Sequence, residues 1–231
     1  MTDTAADATP AGAPTTSFPA DLIDGYQRFT RGRLSDERER YRKLAREGQR
    51  PRTMVIACCD SRAAPETIFD VGPGELFVVR NVANLVPPYE PDGGQHSTSA
   101  AIEFAVVALK VERIVVLGHG RCGGIAASLD GAMEPLSPSD FIGKWIGLLR
   151  PEAERVRGTD FLTPTERQTA MERLAVRGSI ARLREFPLVE QAERDGALTL
   201  GGAWFDIESG ELWVMDPATG DFERPDARAT A

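Results

Sequence analysis

The chain has 231 residues with 35 acidic and 27 basic side chains, a formal net charge of −8. That length holds one sizeable domain with a buried core, and the acidic balance offers no broad basic surface for nucleic acid or an anionic membrane, leaving small molecules and copies of the chain as partners. Three cysteines make no disulfide framework, no window approaches a transmembrane length, and the start has neither a basic region nor an apolar run, so reduced thiols and a cytoplasmic location are expected.

Residues 1–17, rich in Ala, Thr, Pro and Gly, are expected to form a disordered tail, residues 18–215 a single domain, and residues 216–231 a C-terminal tail. Leu22, Tyr26 and Phe29, then the charge-rich run from Ser35 to Glu47, predict amphipathic helices over 21–30 and 35–47, the second capped by Ser35 and stopped by Gly48. The nearly continuous apolar run from Thr53 to Cys58 suits a buried parallel strand. A second such strand runs from Glu75 to Arg80 after the turn at Gly72–Gly74. A Pro/Gly/Asp-rich loop follows, and then Ile102, Ala105, Val106 and Leu109 mark one stripe of a helix over 98–110.

Arg113 to Gly118 is a third buried strand, and Gly123 to Leu129 opens another helix. The region 135–186 reads as helical, broken at Pro138, Pro151 and Pro164. Two terminal runs, 198–207 and 211–215, flank the turn at Glu208–Gly210 and predict a hairpin. Alternating strands and helices indicate an α/β fold with a mainly parallel β-sheet flanked by helices, an N-terminal helical arm and a C-terminal hairpin.

Two strand ends carry chemistry. Cys58-Cys59-Asp60-Ser61-Arg62 ends the first strand, and His119-Gly-Arg-Cys122 follows the third, which is where open α/β sheets bind their ligands. Soft thiolates with an imidazole favour zinc, and three protein ligands with a fourth position for water describe a catalytic rather than a structural site. Side chains on a strand alternate faces, so Cys58 and Asp60 share one face and Cys59 takes the other. If Asp60 belongs to the site, Cys58 is the ligand, Cys59 is a small core hydrophobe, and Arg62 is within reach of the Asp60 carboxylate. No Gly-x-Gly-x-x-Gly follows the first strand, which argues against a dinucleotide site.

Cys58-x-Asp60-Ser61-Arg62, Arg80-Asn81-Val82-Ala83-Asn84 and His119-x-x-Cys122-Gly123-Gly124 together resemble a β-class carbonic anhydrase over about Phe18 to Met215. The resemblance implies that fold, one Zn2+ per chain on Cys58, His119 and Cys122, and reversible hydration of carbon dioxide to bicarbonate and a proton. Hydroxide formed at the zinc would attack the substrate, oriented by Asp60 and Arg62; in some members the aspartate becomes a fourth ligand in a closed form. It further implies a substrate pocket at Gln49, Phe77, Val82, Phe104 and Gly123, with Phe104 where a tyrosine is common. The family's basic unit is a homodimer, often paired again as a dimer of dimers, with pocket residues shared across the interface. Val55 and Phe205 stand where one branch has the tryptophan and tyrosine of an inhibitory bicarbonate site, which places the chain in the plant-like branch. His96 reads as a solvated loop residue, with proton shuttling as the alternative. Rival readings are a carbon disulfide or carbonyl sulfide hydrolase on the same ligands, and a non-catalytic zinc or thiol module.

Overall fold

The computed structural model describes residues 17–131 and 134–225; most of the expected N-terminal tail, 1–16, and the last residues, 226–231, lie outside the described residues. The residues up to Gly48 hold α1 (Ala20–Arg31) and α2 (Arg33–Glu47). Gly32 separates them, and Phe29 meets Tyr41 edge-on with ring centroids 6.2 Å apart. Helix α2 therefore starts ahead of the expected Ser35 cap: Ser35 lies in the first turn, its N–H bonded to the Gly32 carbonyl. Gly48, at φ 77°, ends it as expected. Leu22 and Tyr26 remain exposed on α1.

From Gln49 onward the order is β1 (Thr53–Cys58), α3 (Pro65–Ile68), β2 (Leu76–Asn81), a 3₁₀ turn over Val82–Asn84, α4 (Ser97–Glu103), β3 (Arg113–His119) and α5 (Gly123–Leu129). Then come α6 (Phe141–Ile146), α7 (Arg150–Arg157), α8 (Pro164–Leu183), α9 (Pro187–Arg194), β4 (Thr199–Phe205), β5 (Leu212–Met215) and β6 (Phe222–Glu223). The sheet order is β2-β1-β3-β4-β5-β6, parallel through β4 and antiparallel beyond it.

Both faces of the central strands β1 and β3 are buried, which is why their sequences lack polar alternation. Met54, Ile56, Ile114 and Val116 pack with Val176 and Ile180 of α8, while Val55, Ala57 and Leu117 face the other way with Ile68 and Phe69. Cys58 continues the Met54–Ile56 face by strand period.

Three local expectations change. Helix α4 passes into a π-helical segment over Phe104–Leu109, so the 98–110 stripe is not one regular α-helix. Pro151 and Pro164 do not break helices but start them, since a first-turn proline lacks only an N–H that has no helical partner anyway. Thr163 and Glu166 close a capping box ahead of α8. Finally, the sheet does not stop at Met215, where the sequence reading begins a tail: Phe222 is buried, and β6 pairs with β5.

Candidate metal centre

The carboxyl ends of β1 and β3 lie side by side, with Ala57 opposite Leu117 in the parallel register. Cys58 ends one strand and His119 the other. The turn that follows His119 then carries Cys122 back over the strand ends as the N-cap of α5. The elements on either side of this turn need small residues: a Cβ on Gly118 of β3 would come within 2.7 Å of Val176 Cγ2, and one on Gly124 of α5 within 2.7 Å of Val82 Cγ1. Arg121 takes the left-handed conformation at φ 58°.

The ligand atoms of Cys58, His119 and Cys122 all lie within 4.8 Å of one another, the one such trio of His, Cys or acidic residues among the described residues. Their donor chemistry and spacing fit zinc. The two sulfurs are 4.0 Å apart, against about 3.8 Å for two thiolates at 2.3 Å in a tetrahedral site. His119 Nδ1 is 2.9 Å from the Gly120 carbonyl, which can only accept, so Nδ1 carries the proton and Nε2 presents its lone pair. Nε2 is buried and has no hydrogen-bond partner, the condition of an imidazole nitrogen aimed at a metal.

The surroundings favour one thiolate, on Cys58. Cys58 is held far below the ordinary thiol pKa, foremost by its hydrogen bond with Cys122, aided by His119 and the backbone of Asp60 and Ala83. The same bond pushes Cys122 up, so the pair shares one proton that a dication would displace. The Ala83 N–H points at Cys58 Sγ from 3.4 Å. Leu85, Ile125, Leu149 and Met171 enclose the sulfurs in apolar surroundings.

Asp60 adjoins the trio, with Oδ2 3.9 Å from His119 Nε2. Arg62 binds its carboxylate twice, Nε to Oδ1 at 2.9 Å and Nη2 to Oδ2 at 2.7 Å, and Arg62 N adds a third bond to Oδ1 at 3.0 Å. These bonds, the guanidinium ones first, hold the Asp60 carboxyl well below the usual carboxylate range. Two residues that sequence reasoning missed brace this arrangement. Arg80 donates to the carbonyls of Cys58 and Asp60 at 2.8 and 2.6 Å. Glu172, buried in α8, takes the Cys122 N–H at 3.0 Å, and burial raises its pKa despite that bond. Arg80 opens the Arg80–Asn84 motif, which is its sequence signal; Glu172 has none beyond its helix.

The other predicted residues divide. Val82 sits over the start of α5, its carbonyl bonded by Trp145 Nε1 at 2.8 Å, and Gly123, the first residue of that helix, has open space where a side chain would be. Gln49 is exposed. Phe77 and Phe104 touch, with centroids 5.8 Å apart, but Phe77 lies opposite Met54, about 13 Å along the strands from Cys58 at 3.3 Å per residue. They do not join the trio within one chain. Cys59 faces away from the site as expected, but it is exposed rather than part of the core, because β1 ends at Cys58 and no layer covers the next residue. His96 is bonded to Asp92 at 2.7 Å, outside the trio. Among the described residues no helix is long and apolar enough to cross a membrane.

Comparison with known proteins places this geometry. A family profile described as carbonic anhydrase matches residues 53–212. The chain is 37% identical over 201 residues to "Beta carbonic anhydrase 5, chloroplastic" of Arabidopsis thaliana, covering 86% of this chain and 65% of that protein, so it spans just under two thirds of the plant protein's length. It is 38% identical over 215 residues to the "Carbonic anhydrase" of Pseudomonas aeruginosa, covering 90% of this chain and 94% of that one. Among solved structures, the β-carbonic anhydrase CcaA superposes with a TM-score of 0.81 at 30% identity, over 90% of this chain and 92% of that one. One of two tetrameric β-carbonic anhydrases from Sordaria macrospora superposes at 0.73 and 29% identity, over 88% and 98%. With matching sequence, fold and a cysteine–histidine–cysteine trio at the strand ends, the chain belongs to the β-class carbonic anhydrase family.

Proposed function

We propose that the chain catalyses the reversible hydration of carbon dioxide to bicarbonate and a proton, with one zinc ion held by Cys58, His119 and Cys122. The observation that carries this reading is the convergence of two sulfurs and one free imidazole nitrogen within 4.8 Å, beside a carboxylate locked to an arginine. A zinc ion held there by Cys58, His119 and Cys122 would lower the pKa of water, to about 7 in a carbonic anhydrase with three histidine ligands, and so supply a nucleophile at neutral pH.

The chain's own residues supply orientation. Asp60, ionised through the working range, can only accept hydrogen bonds. Its Oδ2 accepts the hydrogen of the nucleophile and turns a lone pair toward the substrate carbon. Arg62 keeps that carboxylate from rotating through its two guanidinium bonds. The open space at Gly123 and the apolar side chain of Val82 border the approach for a nonpolar substrate that needs few hydrogen bonds.

Gln49, Phe77 and Phe104 belong in this reading to the pocket of a neighbouring subunit in a homodimer. The distance of Phe77 and Phe104 from the trio of their own chain and the exposure of Gln49, Phe104 and Val107 support it. The plant-like branch is favoured because Val55 is fully packed in the core and Phe205 offers no hydroxyl near His119, leaving no inhibitory bicarbonate site. Strong cooperative inhibition of the purified enzyme by bicarbonate would contradict that assignment.

Stopped-flow hydration of carbon dioxide with a pH indicator, over about pH 6.5 to 9, tests the central reading. The zinc-loaded protein is expected to give a fast rate that rises with pH and is lost in Cys58→Ser. Zinc-loaded protein with no hydration activity at any pH would overturn it.

A further inference from the structure

Glu172 is a buried carboxylate with no part in the steps above. It lies in the middle of α8, 2% exposed, and binds groups from three elements. Oε1 accepts from the Cys122 N–H at 3.0 Å and from Gln168 Nε2 at 3.1 Å, and Oε2 accepts from the Trp204 indole N–H at 3.0 Å. Gln168, one turn earlier on the same helix, also reaches the Cys122 carbonyl at 3.4 Å. Both backbone polar groups of Cys122 are thus held from α8. Trp204 is itself fixed, paired in register with Gly118, the residue before His119.

Cys122 needs such a hold. It caps α5 with no side-chain hydrogen bond of its own kind to offer, and it follows Arg121 in the left-handed region that a side chain disfavours. Burying a carboxylate is costly unless its oxygens are bonded. Here every contact is made either to the ligand turn or to a residue that steadies it, so the acid is placed for that turn and not for helix packing, which an apolar side chain would serve better.

We propose that Glu172 is a positioning residue of the metal centre. By accepting the Cys122 N–H while anchored on Trp204, it fixes the turn from which His119 and Cys122 project, and so sets the affinity for zinc. The inference rests on reading Cys58, His119 and Cys122 as ligands. Partners of this kind behind metal ligands are worth about 10- to 100-fold in metal affinity.

The test compares the full-length protein with Glu172→Met, which keeps the volume without an acceptor, Glu172→Gln, which keeps an oxygen for Cys122 but not the acceptor for Trp204, and Trp204→Phe, which removes the indole N–H together with part of a buried ring. Ile180→Ala, a core truncation on the same helix away from the turn, controls for lost stability. Zinc affinity is read by competition with a chromophoric chelator, ligand geometry by the visible absorption of the cobalt-substituted protein, and folding by thermal melts. Glu172→Met is expected to bind zinc about 10- to 100-fold more weakly with altered cobalt bands, and Glu172→Gln to fall between it and the parent, because its oxygen still accepts the Cys122 N–H while its amide nitrogen faces the Trp204 indole N–H, donor against donor. Trp204→Phe should weaken zinc several-fold, whereas Ile180→Ala should lower Tm and leave affinity and spectrum alone. Parental affinity and spectrum in Glu172→Met would overturn the proposal; if that variant does not fold, parental values in Trp204→Phe would do so. A parent protein that takes up no zinc would instead sink the ligand assignment itself.

Discussion

Replacing Asp60 with asparagine separates orientation from metal binding. The carboxylate takes three N–H donors from Arg62, two on Oδ1 at 2.9 and 3.0 Å and one on Oδ2 at 2.7 Å. Asparagine has a single acceptor oxygen. With that oxygen kept at Oδ1, the new amide nitrogen faces Arg62 Nη2, donor against donor, and the side chain must turn away. Nothing then accepts the hydrogen of the nucleophile. A misplacement of this order costs about a hundredfold in rate, or about 2.7 kcal/mol of transition-state stabilisation. Because none of the three proposed ligands is changed, zinc content should stay at one per chain. The assay is kcat/KM by stopped flow beside metal analysis of the same preparation. An Asp60→Asn protein with full zinc and kcat/KM within about threefold of the parent would refute the orienting role.

Arg62→Ala leaves the carboxylate in place but removes the main cause of its low pKa, so Asp60 returns toward the ordinary aspartate value of 3.8. The sign follows directly: a depressed carboxyl pKa contributes stability that is full above 3.8 and lost as pH falls toward the folded value, so the variant, lacking that contribution, should be less stable than the parent above about pH 4 with the gap closing in acid, as melts would record, while its activity should fall off at a higher pH on the acid side, as a pH–rate profile would record. Gly124→Ala places a Cβ 2.7 Å from Val82 Cγ1 and 3.3 Å from Ala83 Cβ; overpacking of this kind costs about 1–3 kcal/mol, and a melt should fall by roughly 2–4 °C per kcal/mol. Chelation of zinc should lower Tm reversibly, since a ligand at a thousand times its Kd contributes about 4 kcal/mol to the folded state; an unchanged melt after verified metal removal would argue against zinc at a site built by the fold. His96→Ala is expected to keep the parental rate at low buffer, because the ring is bonded to Asp92 away from the trio; a large loss rescued by added buffer would instead make His96 the proton carrier.

The convergence of Cys58, His119 and Cys122 is legible in the sequence because its information is local. A strand's period of two puts Cys58 beside Asp60 and turns Cys59 away, and the termini of two parallel strands bring His119-x-x-Cys122 to the same edge without any knowledge of side-chain packing. The exposure of Cys59 was not legible, since it depends on where the covering layer ends rather than on which face the residue takes. The strand at Phe222–Glu223 escaped for a related reason: two residues carry no periodicity, and only the exposed edge of β5 gives them a partner.

Glu172 marks the deeper gap. Glu166, Arg167, Glu172, Arg173 and Arg177 look like the solvated face of a charged helix, yet Glu172 is buried and Arg173 lies over the rings of Trp204 and Trp213, 4.7 Å from each centroid. What brings them inside is the lack of side chains on the strands beneath. A Cβ on Gly118 would stand 2.7 Å from Val176, and one on Gly202 would stand 2.9 Å from the same residue and 3.0 Å from Ile180. These two glycines let α8 settle onto β3 and β4 closely enough for the Glu172 carboxylate to meet the Cys122 N–H at 3.0 Å. A methyl group at either position would lift the helix by some tenths of an ångström, and a hydrogen bond at that length weakens steeply when stretched and tilted. The spacing of strand glycines far from the metal motifs therefore helps determine how firmly the cysteine that closes the metal site is held.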